Sequence, residues 1–553
     1  MASDIEIIDK LKGQFTKGSD NSILNFYLNK ATFTEQFGTS STTVGGTGVG
    51  GPTSGLTAYD LKAPALNMYP VLTPLRNETP RDQGGMGVQA NWRVITSPNN
   101  TSNRIGIPVG GRAPTLQPAT RDVIAAFRGI GTESSVDFEA QYAGQGFEDV
   151  RAKSVLMGLQ SLMIGEEQMM LGGNNSYSLG AASGITLSTS TTGGSLAAGT
   201  WYVVCLPLSY QGYINGSVAT GIQQTVNYIP AGPVGSNTLV GGGASLVGTS
   251  GQSYTSIATT GSTSTISATV NTIRGAAAYA WFWGTSQGSE VLGAITTINS
   301  VTITSAPVTT SSTVKFNGIT SGVYNSSNLT VGGSLAAGNW YTSATDYSTC
   351  VNEFDGLLTM CANSTGYPGA YYAQQATGTA GVGTPLTADG ATGIYEIDLA
   401  LKTMWDTYRL TPDTMWVNSQ EAWNISKKIL AGGTSSAQRI IFTKDQEGLT
   451  GGVMATTYTN RFTSSNGQGD GSGDIRIRIH PYMPAGTLLM TSKMVPYNQS
   501  GISNAFRILC RQDYYQIEWP RFTRQWQYGV YADEVLQHYW PASMAVISNI
   551  GNG

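Results

Sequence analysis

The chain has 553 residues, enough for about three domains at the usual ~100–200 residues each and for several buried cores. Charged residues make up 12% against a usual ~25%, Gly occurs 70 times, and 40% of the chain is apolar, which excludes a disordered chain and points to a folded, turn-rich β protein with a weakly charged surface. A formal charge of −4 provides no global basic field, so nothing in the overall charge points to a tight nucleic-acid binder.

The first segment, "MASDIEIIDKLKGQF", lacks the basic-then-apolar order of a signal peptide and reads as a short amphipathic stretch of a protein made in a cytoplasm. No apolar run reaches the ~18 residues that a membrane helix needs. "GTGVGG" (46–51) formally fits a dinucleotide-binding glycine pattern, but Pro52 follows instead of a helix N-terminus that could hold a phosphate. It is expected to be a joint in an N-terminal arm. Residues 84–131 then read as a long extended hairpin with a polar tip.

Next comes "FEDVRAKSVLMGLQSLMIGEEQMMLGG" (147–173), with Val155, Leu159, Leu162, Met163, Met169 and Met170 at helical spacing and Gly172–Gly173 as the stop. At 1.5 Å per residue it predicts a helix about 37 Å long. It contains one adjacent acid pair, Glu166–Glu167, whose members must leave a helix in different directions.

Composition changes sharply after this helix. Between Ser176 and Cys350 the only charged residues are Arg274, Glu290, Lys315 and Asp346. The block is rich in Ser, Thr and Gly, and "STISATVNTI" (264–273) and "AITTINSVTIT" (294–304) alternate with period two, as half-buried strands do. "AYAWFWG" (278–284) reads as a core strand. The decapeptide "GGSLAAGTWY" (193–202) recurs as "GGSLAAGNWY" (332–341), a spacing too wide for a solenoid unit. Each copy reads as two tight turns feeding a strand, with Trp201 and Tyr202 of the first copy entering the core. The block is expected to be an all-β sandwich, one complete module plus a partial or intertwined second. "GTSQG" (284–288) fits a nucleophile-elbow pattern around Ser286, but an all-β, turn-like context cannot supply the strand-to-helix corner that this chemistry needs.

Mixed structure returns after residue 350. "GIYEIDLALKTMWDTYRLTPDTMWVNSQEAWNISKKILAGG" (393–433) reads as helix, turn, strand, helix; Leu399, Met404 and Trp405 mark the first helix and Ser419 is the expected N-cap of the second. Asp470 and Asp474 in "NGQGDGSGD" lack the ligand ladder of a calcium loop and are expected at an exposed loop tip. Strands follow in "DIRIRIHPY", "GTLLMTS", "FRILCRQDYYQIEWP" and "QWQYGVYADEVLQHYWPASMAVI". The two histidines, His480 and His538, read as packed or surface residues, and the four cysteines (Cys205, Cys350, Cys361, Cys510) as buried reduced thiols. No zinc-site or metalloprotease spacing can be assembled from them.

In this order the elements resemble the major capsid protein of tailed bacteriophages. "EEQMMLGGN" (166–174) resembles the end of that family's spine helix, "NEFDGLLTM" (352–360) the entry to its apical domain, "MWVNSQEAWNISKKI" (415–429) the apical strand–helix unit, and "HPYMPAGTLLMTSKMVPY" (480–497) a late strand and turn. About two thirds of the chain carries the resemblance directly, and the decapeptide block resembles an immunoglobulin-like or fibronectin-type-III-like insertion. The implied fold is an α+β phage-capsid body (N-arm, extended loop, spine helix, apical domain) with an inserted all-β sandwich domain. The implied divisions are an N-terminal arm at 1–70, extended loop and spine helix at 71–175, the inserted sandwich at 176–350, an apical α/β domain at 351–480, and return strands at 481–553.

The resemblance also implies a structural, non-enzymatic subunit, without cofactor, metal or membrane. It would assemble with itself through hexamers and pentamers into an icosahedral shell enclosing double-stranded DNA without reading its sequence. The nearly uncharged insertion would be displayed outside. Portal, scaffolding and decoration proteins are the implied partners, and the virion capsid, assembled in the host bacterial cytoplasm, is the implied location. Some members cross-link neighbours through a loop Lys, but residues 84–131 contain no Lys. Trp92, Arg93, Arg104, Arg112 and Arg121 are instead the expected subunit-interface residues, the arginines suited to bidentate pairing with a neighbour's carboxylates. An encapsulin-like shell shares the body, but the length and the insertion argue against it. A β-rich tail, fibre or surface-layer adhesin explains the low-charge block and leaves the long helix unexplained.

Overall fold

The computed structural model describes residues 70–97, 106–113, 115, 117–144, 149–218, 222, 225–227, 239–241, 243–246, 248, 250–287, 290–307, 346–390, 393–431, 454–462, 473–493, 504–521 and 523–553. The chain forms two compact units, one of Met1–Tyr69 with Val136–Lys153 and one of Pro70–Ser135 with Ser154–Gly553. The arm at 1–69, Arg104 and the second decapeptide lie outside the described residues, as do "GTGVGG" and Asp470.

The helices are α1 (Pro74–Glu78), α2 (Phe138–Gly144), α3 (Val150–Gly172), α4 (Tyr210–Asn215), α5 (Leu357–Ala362), α6 (Tyr395–Tyr408) and α7 (Ser419–Ala431). The strands up to the low-charge block are β1 (Arg81–Gln83), β2 (Gln89–Ser97), β3 (Ala119–Ala126) and β4 (Arg128–Asp137). Within it lie β5 (Thr186–Ser190), β6 (Gly199–Leu208), β7 (Thr225–Asn227), β8 (Leu239–Gly241), β9 (Tyr254–Thr259), β10 (Thr265–Thr269), β11 (Ala278–Gly284), β12 (Val291–Thr296) and β13 (Ser300–Ile303). The remainder are β14 (Tyr371–Gln374), β15 (Thr414–Val417), β16 (Thr457–Thr459), β17 (Asp474–Ile479), β18 (Leu488–Thr491), β19 (Phe506–Glu518), β20 (Gln525–His538) and β21 (Met544–Ser548). The chain is thus mixed α/β with mostly strands.

In the first unit, α2 carries an edge-to-face pair, Phe138 and Tyr142, with centroids 4.7 Å apart. Asp149 Oδ1 accepts from the amides of Arg151 and Ala152, capping the start of α3.

The second unit is centred on a six-stranded sheet in the order β14-β21-β18-β15-β17-β16. β15, β18 and β21 are buried along their whole length, and their sequences are accordingly near-continuous apolar runs without alternation. α6 contributes Ile397, Ala400, Leu401 and Met404 to this core, and α7 contributes Ala422 and Ile425. Leu399, Met404 and Trp405 all lie in α6, and Leu399 is exposed on the face opposite that stripe. The cap of α7 differs from expectation. Asn418 Oδ1 accepts from the Gln420 amide at 3.0 Å, so Asn418, one residue earlier, caps the helix, and Ser419 is its first residue. Strands on both sides of residue 480 share the one sheet, because β18 and β21 interleave with β15 and β14.

A second sheet runs β1-β19-β20-β4. The β19–β20 register shifts between Cys510 and Gln512 and again between Gln512 and Tyr515, a bulge that re-aims Asp513 and Tyr514.

In the low-charge block, β13-β10-β5 form one sheet and β12-β11-β6-β9 another. Trp201, Val203 and Cys205 of β6 and Tyr279, Trp281 and Trp283 of β11 share a core with Ile266, Ala268, Val301 and Ile303 of the facing sheet. The alternate residues Val204, Leu206, Leu208, Ala280 and Phe282 fill a second core on the other face, closed by Ile222, Ala244 and Leu292. The expected strand at 294–304 is broken: the chain leaves β12, turns through 297–299, and enters β13 in the opposite sheet. Among the described residues of the block, the buried indoles donate hydrogen bonds, Trp201 to the Ala197 carbonyl, Trp281 to Thr296 and Trp283 to the Ser305 carbonyl. Since Ala197 and Trp201 both belong to the decapeptide, the first copy closes on itself; Tyr202 is only half-buried. Among its described residues the block also contains a short helix, α4, where only strands were expected, and Tyr210 of that helix packs against the end of α3.

This block is tied firmly to the body. The Arg274 guanidinium donates to the carbonyls of Ala362 and Cys361 and lies over the Tyr372 ring. Asn299 and Asn549 exchange hydrogen bonds in a buried pair, and Tyr210 donates to the Tyr482 carbonyl. All four cysteines are buried and unpaired with one another, and burial pushes the Cys510 thiol up to about 12.

Candidate assembly surface and buried charge cluster

β2 and β3 form their own two-stranded sheet, and its alternation sorts the expected interface residues. The inner face, Ala90, Trp92 and Ala125, packs on the main core, with Trp92 Nε1 donating to the His538 carbonyl at 3.1 Å. Arg121 donates to the Gly366 carbonyl and Arg128 to that of Glu353, so both fold back on their own chain. The outer face carries Arg93 opposite Asp122, where the guanidinium Nη2 lies 3.0 Å from a carboxylate oxygen and the pair is exposed. That face also exposes Ile95 and Ile124.

The described part of the tip holds a tight turn. The Gly111 amide donates to the Pro108 carbonyl, and Gly110 sits at φ +78° with Val109 in the ordinary region, the geometry of a type II turn. Val109 at its corner is completely solvent-exposed at 108%; Ile107 and Arg112 beside it are exposed too.

A half-open cleft of about 320 Å3 lies between β3 and the segment 353–367. Phe354, Met360 and Val123 give it apolar walls, while Asp122, Glu353, Asp355, Arg121 and Arg128 give it charge. Burial, with Asp355 adding to it against the bond from the Asn174 amide, raises the Glu353 carboxyl to about 7. Asp355 accepts from the amides of Asn175 and Ser176 and from the hydroxyls of Ser176 and Tyr367.

The acid pair on α3 is bonded through both of its carboxylates. Glu166 and Glu167 do leave the helix in different directions, yet both are 0% exposed. Glu167 accepts from the amides of Leu75 and Arg76 at 2.8 and 2.6 Å, capping α1 from 92 residues away, and from His480 Nε2 at 2.7 Å. Glu166 meets Arg76 Nε at 2.9 Å, and also Arg81 and Tyr514. Arg81 in turn reaches Asp513 and Glu534, both at 2.7 Å. Burial works against the Arg81 charge, but Glu534 and Glu166 outweigh it and raise its pKa. Burial and the nearby Glu166 push the Glu534 carboxyl up to about 8, against the pull of Arg81.

None of Arg76, Arg81, Asp513, Tyr514 or Glu534 stands out by spacing in the sequence. The available signal was the adjacent acid pair inside an otherwise apolar helix segment. His538 is packed, as expected: it stacks on Phe506, its ring nitrogens have no partner, and burial lowers its pKa to about 3. Ser286 sits in the exposed turn after β11, and Asp474 opens β17 and accepts from the Thr459 hydroxyl. Among the described residues no cluster of three or more His, Cys, Asp or Glu is placed to hold a metal ion, and no helix is long and apolar enough to cross a membrane.

No family model and no curated protein matches the chain. Among solved structures, it is similar to a chain of the capsid of a native GTA particle, at 8% identity and a TM-score of 0.36, over 91% of this chain and 97% of the other. It is similar to a chain of the cyanophage A-1(L) capsid asymmetric unit, at 9% identity and a TM-score of 0.37, covering 88% and 96%. A chain from Mycobacterium phage Bobi aligns at 10% identity and a TM-score of 0.35, covering 90% and 95%.

Proposed function

We propose that the chain is a shell-forming structural subunit, the major capsid protein of a tailed bacteriophage. The observation that carries this reading is the β2–β3 hairpin. One of its faces is used within its own chain, while Ile95 and Ile124 on the other, Ile107 and Val109 at the tip, and Met86 and Val88 at its base are exposed. Apolar surface gathered on one element marks a protein contact. The order of hairpin, long helix, inserted strands and six-stranded body agrees with the resemblance in the sequence.

In this reading Trp92 and Arg121 hold the hairpin's inner face in place, whereas Arg93, Arg104 and Arg112 meet a neighbour. Copies assemble through hexamers and pentamers into an icosahedral shell around double-stranded DNA, with portal, scaffolding or decoration proteins as further partners. Residues 176–350 form an immunoglobulin-like module, anchored to the body through Arg274, Asn299 and Tyr210 and displayed outside. The two sheets that share a core in this block support that assignment. Repetition of modest interfaces in a closed symmetry gives such a shell its durability.

The test is electron microscopy of the purified chain, alone and with the proteins encoded beside it. Closed or aberrant polyhedral shells with external knobs support the reading. Stable monomers, fibres or flat lattices under all assembly conditions overturn it in favour of an adhesin or surface-layer role.

A further inference from the structure

We infer that the groove between the end of α3 and α4 binds a primary ammonium group, with Glu353 as its counter-charge. The site belongs to the single chain and does not depend on the shell-forming reading.

Space comes first. The groove measures about 90 Å3, against the ~10–15 Å3 that one water occupies on the same measure. Gly165 leaves its floor open, since a Cβ there would meet nothing within 4 Å. Met169 and Ile214 give it apolar walls suited to a short alkyl chain.

Charge comes second. A helix C-terminus carries partial negative charge, and the last turn of α3 has no basic residue to offset it. Glu353 lines the groove at that end and is only 9% exposed. Its carboxylate forms no ion pair among the described residues; its recorded bond there is the one that Oε2 accepts from the Asn174 amide at 3.0 Å. Arg128 does not supply the cation, because its Nε donates to the main-chain carbonyl of Glu353. The nearby Asp355 adds to the negative charge, and burial raises the Glu353 carboxyl to about 7. A cation in the groove would answer both the carboxylate and the helix end.

The donor pattern selects the kind of cation. An ammonium has three N–H groups to place. Glu353 Oε1 accepts from no described residue, and the amide side chains of Gln168, Gln211 and Asn215 line the same groove without hydrogen bonds to other described residues. Their carbonyl oxygens and Oε1 supply the acceptors. A guanidinium is best held by both oxygens of a carboxylate, and Oε2 is already engaged.

The test is equilibrium dialysis of the purified full chain against n-butylammonium or tetramethylammonium at matched ionic strength. Tetramethylammonium has the same charge and no N–H to donate, so it should bind more weakly by about tenfold or more. Glu353→Gln keeps an acceptor for the Asn174 amide and removes the charge. Gly165→Met fills the groove from α3 and leaves Glu353 in place. Each should weaken butylammonium binding by about tenfold or more. Equal binding of the two cations, no binding, or binding that either variant leaves unchanged overturns the inference. If a variant does not fold, the comparison of the two cations on the unaltered chain decides. The natural source is read on chain purified without added amine. A carbodiimide cross-link from Glu353 to a lysine of a second polypeptide assigns the ammonium to a protein side chain. A small amine released on acid denaturation assigns it to a free aliphatic amine. Finding neither overturns the groove as a naturally occupied site.

Discussion

Glu167 Oε1 lies 2.7 Å from His480 Nε2, and both side chains are fully buried although 313 residues separate them. The same carboxylate caps α1 through the amides of Leu75 and Arg76. One side chain therefore joins the long helix to the segment entering the body and to the end of β17.

Glu167→Ala is expected to destabilise the subunit by about 3–5 kcal/mol, because it leaves two amides and an imidazole buried without their acceptor. Glu167→Gln keeps one acceptor oxygen and should cost less. Denaturant unfolding of the free subunit measures both. A loss below about 1 kcal/mol for the alanine variant would show that the cluster is not bonded as described.

The raised carboxyls set a pH dependence. Glu534 at about 8 and Glu353 at about 7 bind a proton more tightly folded than unfolded, where the carboxyl value is 4.5. Their contribution is fully present below the unfolded value and is lost as pH rises through the folded one. Stability should fall from about pH 5 to about pH 9, and Glu534→Gln should flatten that fall. An unchanged slope in the variant contradicts the assignment.

His538 acts in the opposite direction. Its folded pKa of about 3 lies below the unfolded 6.5, so its contribution is lost as pH drops through that window. His538→Phe keeps the stack on Phe506 and removes two unpartnered ring nitrogens. The variant should match or exceed the wild type at neutral pH and lose less stability on acidification, as read by thermal melts. Greater acid sensitivity in the variant would refute this.

Gly172, at the end of the long helix, leaves no room for a methyl group: a Cβ there would lie 2.2 Å from the Tyr210 ring. Gly172→Ala should cost about 1–3 kcal/mol through overpacking. Combining it with Tyr210→Ala should recover part of that cost relative to the sum of the single changes. Strict additivity would mean that the helix end and α4 are not in contact.

At the start of α7, Asn418→Ala should cost about 1 kcal/mol, while Ser419→Ala should cost only a few tenths. The reverse order in unfolding experiments would restore Ser419 as the cap.

Much of the element list was legible in the sequence because it depends on local periodicity and local breakers. The helix closed by Gly172–Gly173, the two strands of the hairpin, the helix–strand–helix of 393–433 and the core strand "AYAWFWG" all follow from spacing. Alternation alone could not show that 294–304 crosses between two sheets, since an alternating run reads the same on either side of a turn. Nor could it choose Asn418 over Ser419, because both are good caps and the geometry differs by one residue.

The sequence by itself determined the order of elements, the compositional break at 176–350 and the burial of the apolar strands, since periodicity and transfer free energy act on neighbours along the chain. Tertiary structure alone decided that Glu166 and Glu167 are buried. It brings Arg76, Arg81, Tyr514 and Glu534 to them from segments up to hundreds of residues away, and a bulge in β19 aims Asp513 and Tyr514 inward. A charge enters a core only when its partners arrive with it, and that encounter is set by the fold's long-range pairings rather than by any local pattern.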